Sequence, residues 1–479
     1  MGLSKERTLA ISVPLVAAAT TYYLYRKNIS KSKDSKAVPC AEAGMIETIQ
    51  KLGGSECPFW MMETARKLGS NVYKMNIPVP GGTYLVGDAD LALRILRDKS
   101  SDKPQALYSI FSKITGGLPT IFTSTNNDYW KFVRKSSAHA FSKNEVGRMI
   151  SIAKQAAETL IRDIDRMIEQ DQSFDPAVTM TRLTFDVILS AAFEYTPQPQ
   201  EFEDFVSSLE ICLREFSYRQ STNPLRAMFG ILIPEVRQAM REAKKVQAFT
   251  QRVLEHYRAN PNKSSLNNTL IRLIADNPDF PSDRHRIGEM VTFLIAGHDT
   301  TGFTISNTLI LLAQHPQITQ KLRSELNQVQ DPNEWSKVEY YQHVMKESTR
   351  CLPVAATGSI RITGREFEHQ EGRMIIPKGA NVFMPQYVPY HDDAVFPDPE
   401  RFHPDRWIHA TKAMNDTIIP FSAGNRNCVG QALAKAEIDA LIPLLVTQFD
   451  FIVEEEGTPD YFLTLKIAGA KLKAKRISA

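Results

Sequence analysis

Long helical periodicity most limits the architecture open to this chain. Between residues 144 and 170 the apolar side chains Val146, Met149, Ile150, Ala153, Ala156, Leu160, Ile161, Ile164 and Ile168 recur three and four apart, with charges between them. That spacing lines up one face of a helix, which a core must cover. Further helical patterns run over about 201–218, 235–258 and 283–314, the last stopped by Pro316. Strand-like runs are short. VYKMNI and TYLVGD flank a Pro/Gly turn at 78–82 and read as a hairpin, while 374–384 and 461–477 suit small sheets. No repeat, low-complexity tract or Gly/Ser linker divides the chain after about residue 45. The expectation is a mainly α fold with small β-sheets, formed as one domain over 37–479.

Composition narrows the function classes. Hydrophobic residues make up 43% and charged residues 23%, enough apolar mass for a large core. The formal charge is +3 with no concentrated basic face, which argues against nucleic acid. Five cysteines, at 40, 57, 212, 351 and 428, form no CxxC pair. An odd count without repeated spacing speaks against a disulfide framework or zinc site and for a reducing compartment. Residues 8–25 are uncharged and long enough for a single transmembrane helix. Arg26, Lys27, Lys31, Lys33 and Lys36 follow it, against Lys5 and Arg7 before it, so the remaining chain is expected on the cytosolic side. A cleaved signal ending near 17–19 is the rival reading, but a dense positive flank after the apolar run is the wrong way round for one. Residues 1–36 are therefore read as membrane anchor and basic linker.

The segment 421–430 carries the strongest chemical signal. Cys428 stands just ahead of a helical pattern, where backbone N–H groups and the helix dipole favour the metal-binding thiolate. Gly424 and Gly430 would let backbone approach a flat ligand, and Arg426 could neutralise a carboxylate on it. With Phe421, these residues match FxxGxRxCxG, and the segment resembles the haem-binding loop of the cytochrome P450 family. Upstream, Ala296 to Thr301 reads AGHDTT inside an apolar helical stretch. Thr300 can bond back to the carbonyl of Ala296 and disturb the helical ladder there, opening a groove. The segment is similar to the oxygen-activation motif of that family, which implies that Asp299 and Thr300 deliver protons. Trp130 and Arg134 resemble its WxxxR, whose side chains hold a haem propionate, and Arg361 falls where the family often places another propionate ligand. Glu347 and Arg350, spaced i, i+3, match ExxR, and 399–402 matches PERF. The resemblance implies that Arg401 joins Glu347 and Arg350 in a structural ion network. Two departures are that 37–44 lacks the usual proline-rich hinge and that one proline, Pro353, follows ExxR where two are common.

The resemblance implies a P450 fold holding haem b, iron protoporphyrin IX, with Cys428 as metal ligand, Phe421, Gly424, Arg426 and Gly430 cradling the cofactor, and Thr300 and Asp299 catalytic. The implied reaction inserts one oxygen atom from O2 into a substrate made lipophilic by apolar candidate positions such as Phe293, Ala296 and 354–357. No G-x-G-x-x-G fingerprint is visible, so electrons are expected from a separate NADPH-cytochrome P450 reductase, with cytochrome b5 as a second donor. Lys131, Lys135 and Lys435 are candidate contacts for it. The expected location is the endoplasmic reticulum membrane, single-pass, with 227–234 as a possible second membrane contact. A reductase-independent haem-thiolate isomerase or dehydratase, and a non-catalytic haem sensor, are the competing classes; the acid/alcohol pair at 299–300 argues against both.

Overall fold

The computed structural model describes residues 38–223, 225–260 and 268–477; the expected anchor at 8–25 lies outside them. Among the described residues no helix is long and apolar enough to cross a membrane. The architecture is mainly helical with small sheets, as the periodicity predicts. At its centre runs the helix Asp283–Gln314, 32 residues long and buried through most of its length. A helix apolar on all sides must be surrounded, and Pro176–Phe193, Pro234–Ala259, Glu339–Cys351 and Gln431–Gln448 pack round it. Two helices show how local sequence begins one. Asp175 accepts N–H bonds from Ala177 and Val178 ahead of Pro176, and the Asn127 side chain caps Asp128–Ala138 through the Trp130 N–H.

The amphipathic reading of 144–170 holds: Lys143–Glu169 is one helix, with Met149, Ala153 and Ile164 fully buried. The 201–218 reading differs at its end. Pro199–Leu213 is α-helical, then Arg214–Arg219 widens into a π-helical turn. The hairpin forms as Val72–Met75 against Thr83–Val86, and the sheet continues through Asn381–Met384, parallel to Thr83–Val86, to Ser359–Ile362. The 461–477 run divides between two sheets: Leu465–Ala468 pairs with Thr458–Tyr461, while Lys471–Arg476 pairs with Phe449–Glu455.

A buried ion network braces the chain behind the site. Glu347 and Arg350 are both fully buried, 2.9 Å apart. Glu347 also accepts from Arg406 Nε, Trp407 Nε1 and the His403 N–H, and Arg350 donates to the carbonyls of Tyr390, Pro399 and Arg401. Arg406 is thus the third charged member, in correction of Arg401, whose side chain is exposed and which contributes only its carbonyl. Burial opposes ionisation of Glu347, yet its arginine partners hold the carboxyl below the ordinary range.

A second buried carboxylate ties the 120–130 loop to the central helix. Glu289 accepts from the Ile121 N–H at 3.0 Å and the Tyr129 hydroxyl at 2.8 Å. Burial pushes its carboxyl up to about 8 against these two bonds.

Two predictions follow from these carboxylates. Glu347→Ala strands two buried guanidinium groups and should cost about 3–5 kcal/mol in urea unfolding; a loss below about 1 kcal/mol would show that the network is not structural. For Glu289, the folded protein keeps a proton that the unfolded chain has released once pH exceeds the ordinary carboxyl value. Stability should therefore fall as pH rises toward about 8, and level off above it. The expected slope is on the order of 1.4 kcal/mol per pH unit, absent from Glu289→Gln. Parallel urea midpoints for both proteins across that window would contradict the assignment.

Candidate active site

The loop before Gln431–Gln448 brings Cys428 to the floor of an open cavity of about 430 Å³, lined also by Arg134, Phe141, Asn427, Val429 and Lys435. The Cys428 N–H donates to the Phe421 carbonyl at 2.9 Å, closing the loop on itself. Its thiol is open to the cavity yet surrounded by protein, and that burial raises its pKa. Three groups pull the other way: the N–H groups of Gly430 and Gln431 and the charge of Arg134. These donors stabilise a thiolate. By contrast Cys57, Cys212 and Cys351 are buried, with thiols pushed up to about 12 by desolvation.

The two loop glycines differ in purpose. At Gly424, φ is +74° and an added Cβ would fall 2.1 Å from the Leu96 carbonyl oxygen, so packing against the chain already demands glycine there. At Gly430 an added Cβ would meet only Phe141 and Cys428 Sγ, at 3.9 and 4.0 Å.

Next to this loop the structure gathers buried positive charge. Arg426 stacks over Trp130, its guanidinium 3.9 Å from the ring centre. Its Nε donates to Asn126 at 2.9 Å, while Nη2 is buried without a hydrogen-bond partner, the nearest carboxylate oxygen, Asp102 Oδ1, being 3.7 Å away. Desolvation brings the group down to about 10. Arg361, 2% exposed on Ser359–Ile362, donates to the Ile360 carbonyl and is likewise lowered by burial. A third cation, Lys103, escaped the motif reading. It is 8% exposed, donates to the Phe122 carbonyl, and sits 4.2 and 4.3 Å from the Tyr108 and Phe122 ring centres. Burial lowers it well below the lysine range, with Arg361 and Arg426 adding to the effect. Asp102 is the carboxylate that bears on all three, so positive charge exceeds negative. Buried charge without a counter-charge is expensive, and the cluster with its orphan Nη2 fits a ligand bearing two carboxylates, as haem does.

Arg134 lies one turn from Trp130 but is committed elsewhere, donating to the carbonyl and side chain of Asn427 at 2.8 and 2.5 Å. It steadies the cysteine loop. Lys435 and Lys135 are exposed, whereas the charge of Lys131 is met by Asp128 at 2.9 Å.

On the central helix, Thr300 Oγ1 donates to the Ala296 carbonyl at 2.8 Å, as the spacing predicts. The helix stays regular through this bond instead of breaking, and Thr304 and Thr308 make the same i−4 contact. Gly297 admits the neighbouring helix, since an added Cβ would touch Ile188 at 3.0 Å. Asp299 is partly exposed beside Thr300, and its Oδ1 lies 3.0 Å from Nε2 of the fully buried His298. Phe293 is buried against Phe141.

Comparison with known proteins agrees with this geometry. The family described as Cytochrome P450 matches residues 49–477. The chain is 24% identical to "Cytochrome P450 monooxygenase acrF" of Aspergillus aculeatus, over 82% of this chain and 86% of that protein. It is 26% identical to "Taurochenodeoxycholic 6 alpha-hydroxylase" of Sus scrofa, over 82% and 80%. It is 28% identical to "Cyclooctat-9-en-7-ol 5-monooxygenase" of Streptomyces melanosporofaciens, over 50% and 54%. With a thiol-bearing loop, a buried cation cluster and a family match over nearly all of the described residues, the chain belongs to the cytochrome P450 family of haem-thiolate monooxygenases.

Proposed function

We propose that this enzyme inserts one oxygen atom from O2 into a lipophilic small molecule, with Cys428 as the residue whose thiolate would hold the iron of haem b and with electrons from a separate NADPH-dependent reductase. The observation that carries the reading is the Cys428 thiol, which alone among the described cysteines combines an open cavity with N–H donors and a cation. Arg426, Arg361 and Lys103 would neutralise the two propionates, with Trp130 as the shelf under Arg426. Haem held there supplies the activation of dioxygen, for which a thiolate ligand is suited. The protein's part is to place substrate and protons. Thr300 keeps its hydroxyl on the helix surface through the Ala296 carbonyl, and Asp299 presents a carboxyl beside it, an acid/alcohol pair for general acid work.

A lipophilic substrate is supported by the aromatic contacts of Phe122 with Tyr108 and Phe111 in the 107–122 segment, and by the two relatives named for acting on taurochenodeoxycholic and cyclooctat-9-en-7-ol substrates. Membrane attachment at the endoplasmic reticulum, with the catalytic domain cytosolic, is supported by the apolar run 8–25 with its basic flank. Leu225, Met228, Phe229 and Leu232 add an exposed apolar patch between two long helices. Exposed Lys435 on the rim of the cysteine cavity, and exposed Lys135 next in sequence to its lining residue Arg134, suit an acidic electron donor.

Cys428→Ala should abolish the carbon monoxide difference band of a thiolate-ligated ferrous haem, while Cys351→Ala keeps it; the reverse pattern would refute the ligand assignment. Thr300→Ala should retain haem and the substrate-induced Soret shift but lower product formed per NADPH, with hydrogen peroxide making up the difference. Unchanged coupling in that variant would remove Thr300 from the mechanism.

A further inference from the structure

The proton-delivery pair has a neighbour whose chemistry is unused. His298 is fully buried, its ring meeting the edges of Phe185 and Phe205 at 5.6 and 5.8 Å, and Thr184 donates to its backbone carbonyl at 2.8 Å. Its orientation determines where its protons lie. Nδ1 is 2.7 Å from the Leu294 carbonyl oxygen, which can only accept, so Nδ1 carries a hydrogen. A neutral ring in that tautomer would present a bare lone pair at Nε2. Yet Nε2 lies 3.0 Å from Asp299 Oδ1 and is buried with no aligned hydrogen-bond partner. The carboxylate is close enough for an ion pair but lies off the ring N–H direction. Two lone pairs do not face one another at that distance in a dry interior, so one proton belongs to the pair, on nitrogen or on oxygen.

We propose that His298 is a positioning residue for Asp299: its Nε2, 3.0 Å from Oδ1, pairs with the carboxyl and holds it beside Thr300. The proposal rests on the reading of Asp299 and Thr300 as the proton-delivery pair. Burial works against a second proton on the ring, but Asp299 outweighs it and the net shift is upward. His298 is not itself a relay, because Nδ1 is held by Leu294 and the ring has no exposed edge. A proton that leaves Asp299 is replaced from solvent at the same carboxyl, which is 13% exposed, and the ring ends each cycle with the protons it began with.

The test uses the full-length holoenzyme with its reductase. His298→Phe keeps the slot between Phe185 and Phe205 filled but removes the partner, whereas His298→Gln retains a donor. The Phe variant should lose product per NADPH severalfold with an unchanged substrate-induced Soret shift, and the Gln variant should recover part of the loss. An independent readout is the imidazole nitrogen resonance of [15N]histidine-labelled ferrous carbon monoxide protein, identified by its absence in either His298 variant. It should move in Asp299→Asn. If Asp299→Asn leaves coupling intact, the proton-delivery reading fails and this proposal with it. If Asp299→Asn uncouples the enzyme while His298→Phe does not, or if the His298 resonance ignores Asp299→Asn, the role of His298 is overturned and the reading of Asp299 stands.

Discussion

A helix buried through most of its length cannot leave its polar groups to water, and much of this molecule follows from where Asp283–Gln314 sends its own. Thr300, Thr304 and Thr308 return their hydroxyls to the helix backbone. Glu289 reaches outward for the Ile121 N–H and the Tyr129 hydroxyl, and so orders the loop leading to Trp130. Asn307 donates to the Leu465 carbonyl and ties in the C-terminal hairpin. His298 bonds to the Leu294 carbonyl through Nδ1, while Nε2 has Asp299 Oδ1 3.0 Å away without an aligned hydrogen bond. The partners that these buried groups require are the segments that surround the site.

Buried charge is handled in two opposite ways. Around Glu347 the guanidinium groups find their acceptors within the protein: Arg350 and Arg406 share one carboxylate and donate also to backbone carbonyls and to Cys351 Sγ. A network of this kind braces the strands and turns it touches and has no capacity for a ligand. Around Arg426, Arg361 and Lys103 the account stays open. Asp102 is the one carboxylate that bears on all three, and Arg426 Nη2 has no hydrogen-bond acceptor, its nearest carboxylate oxygen being Asp102 Oδ1 at 3.7 Å. The distinction separates a buttress from a candidate binding site without reference to any motif, because a buried donor with no acceptor calls for one from outside.

The sequence by itself determined the helical architecture, the ends of the central helix, the 72–86 hairpin and the placing of Cys428 just ahead of a helix, since periodicity, turn chemistry and a short motif are all local properties. The Thr300 bond to Ala296 was equally legible, being a contact one helical turn long. Only the tertiary structure decided the longer-range pairings. Arg401 and Arg406 lie five residues apart on one loop, and nothing local tells which guanidinium turns inward to Glu347 and which stays in solvent. Arg134 shares a helix face with Trp130, yet its partner, Asn427, is 293 residues away in sequence. Lys103 looked like an ordinary lysine until folding buried it beside Arg361 and Arg426, and His298 like a spacer until Phe185 and Phe205 closed round it. Motifs record what a few adjacent residues must be. Burial and charge balance depend on the summed surroundings of each group, and those exist only once the chain is folded.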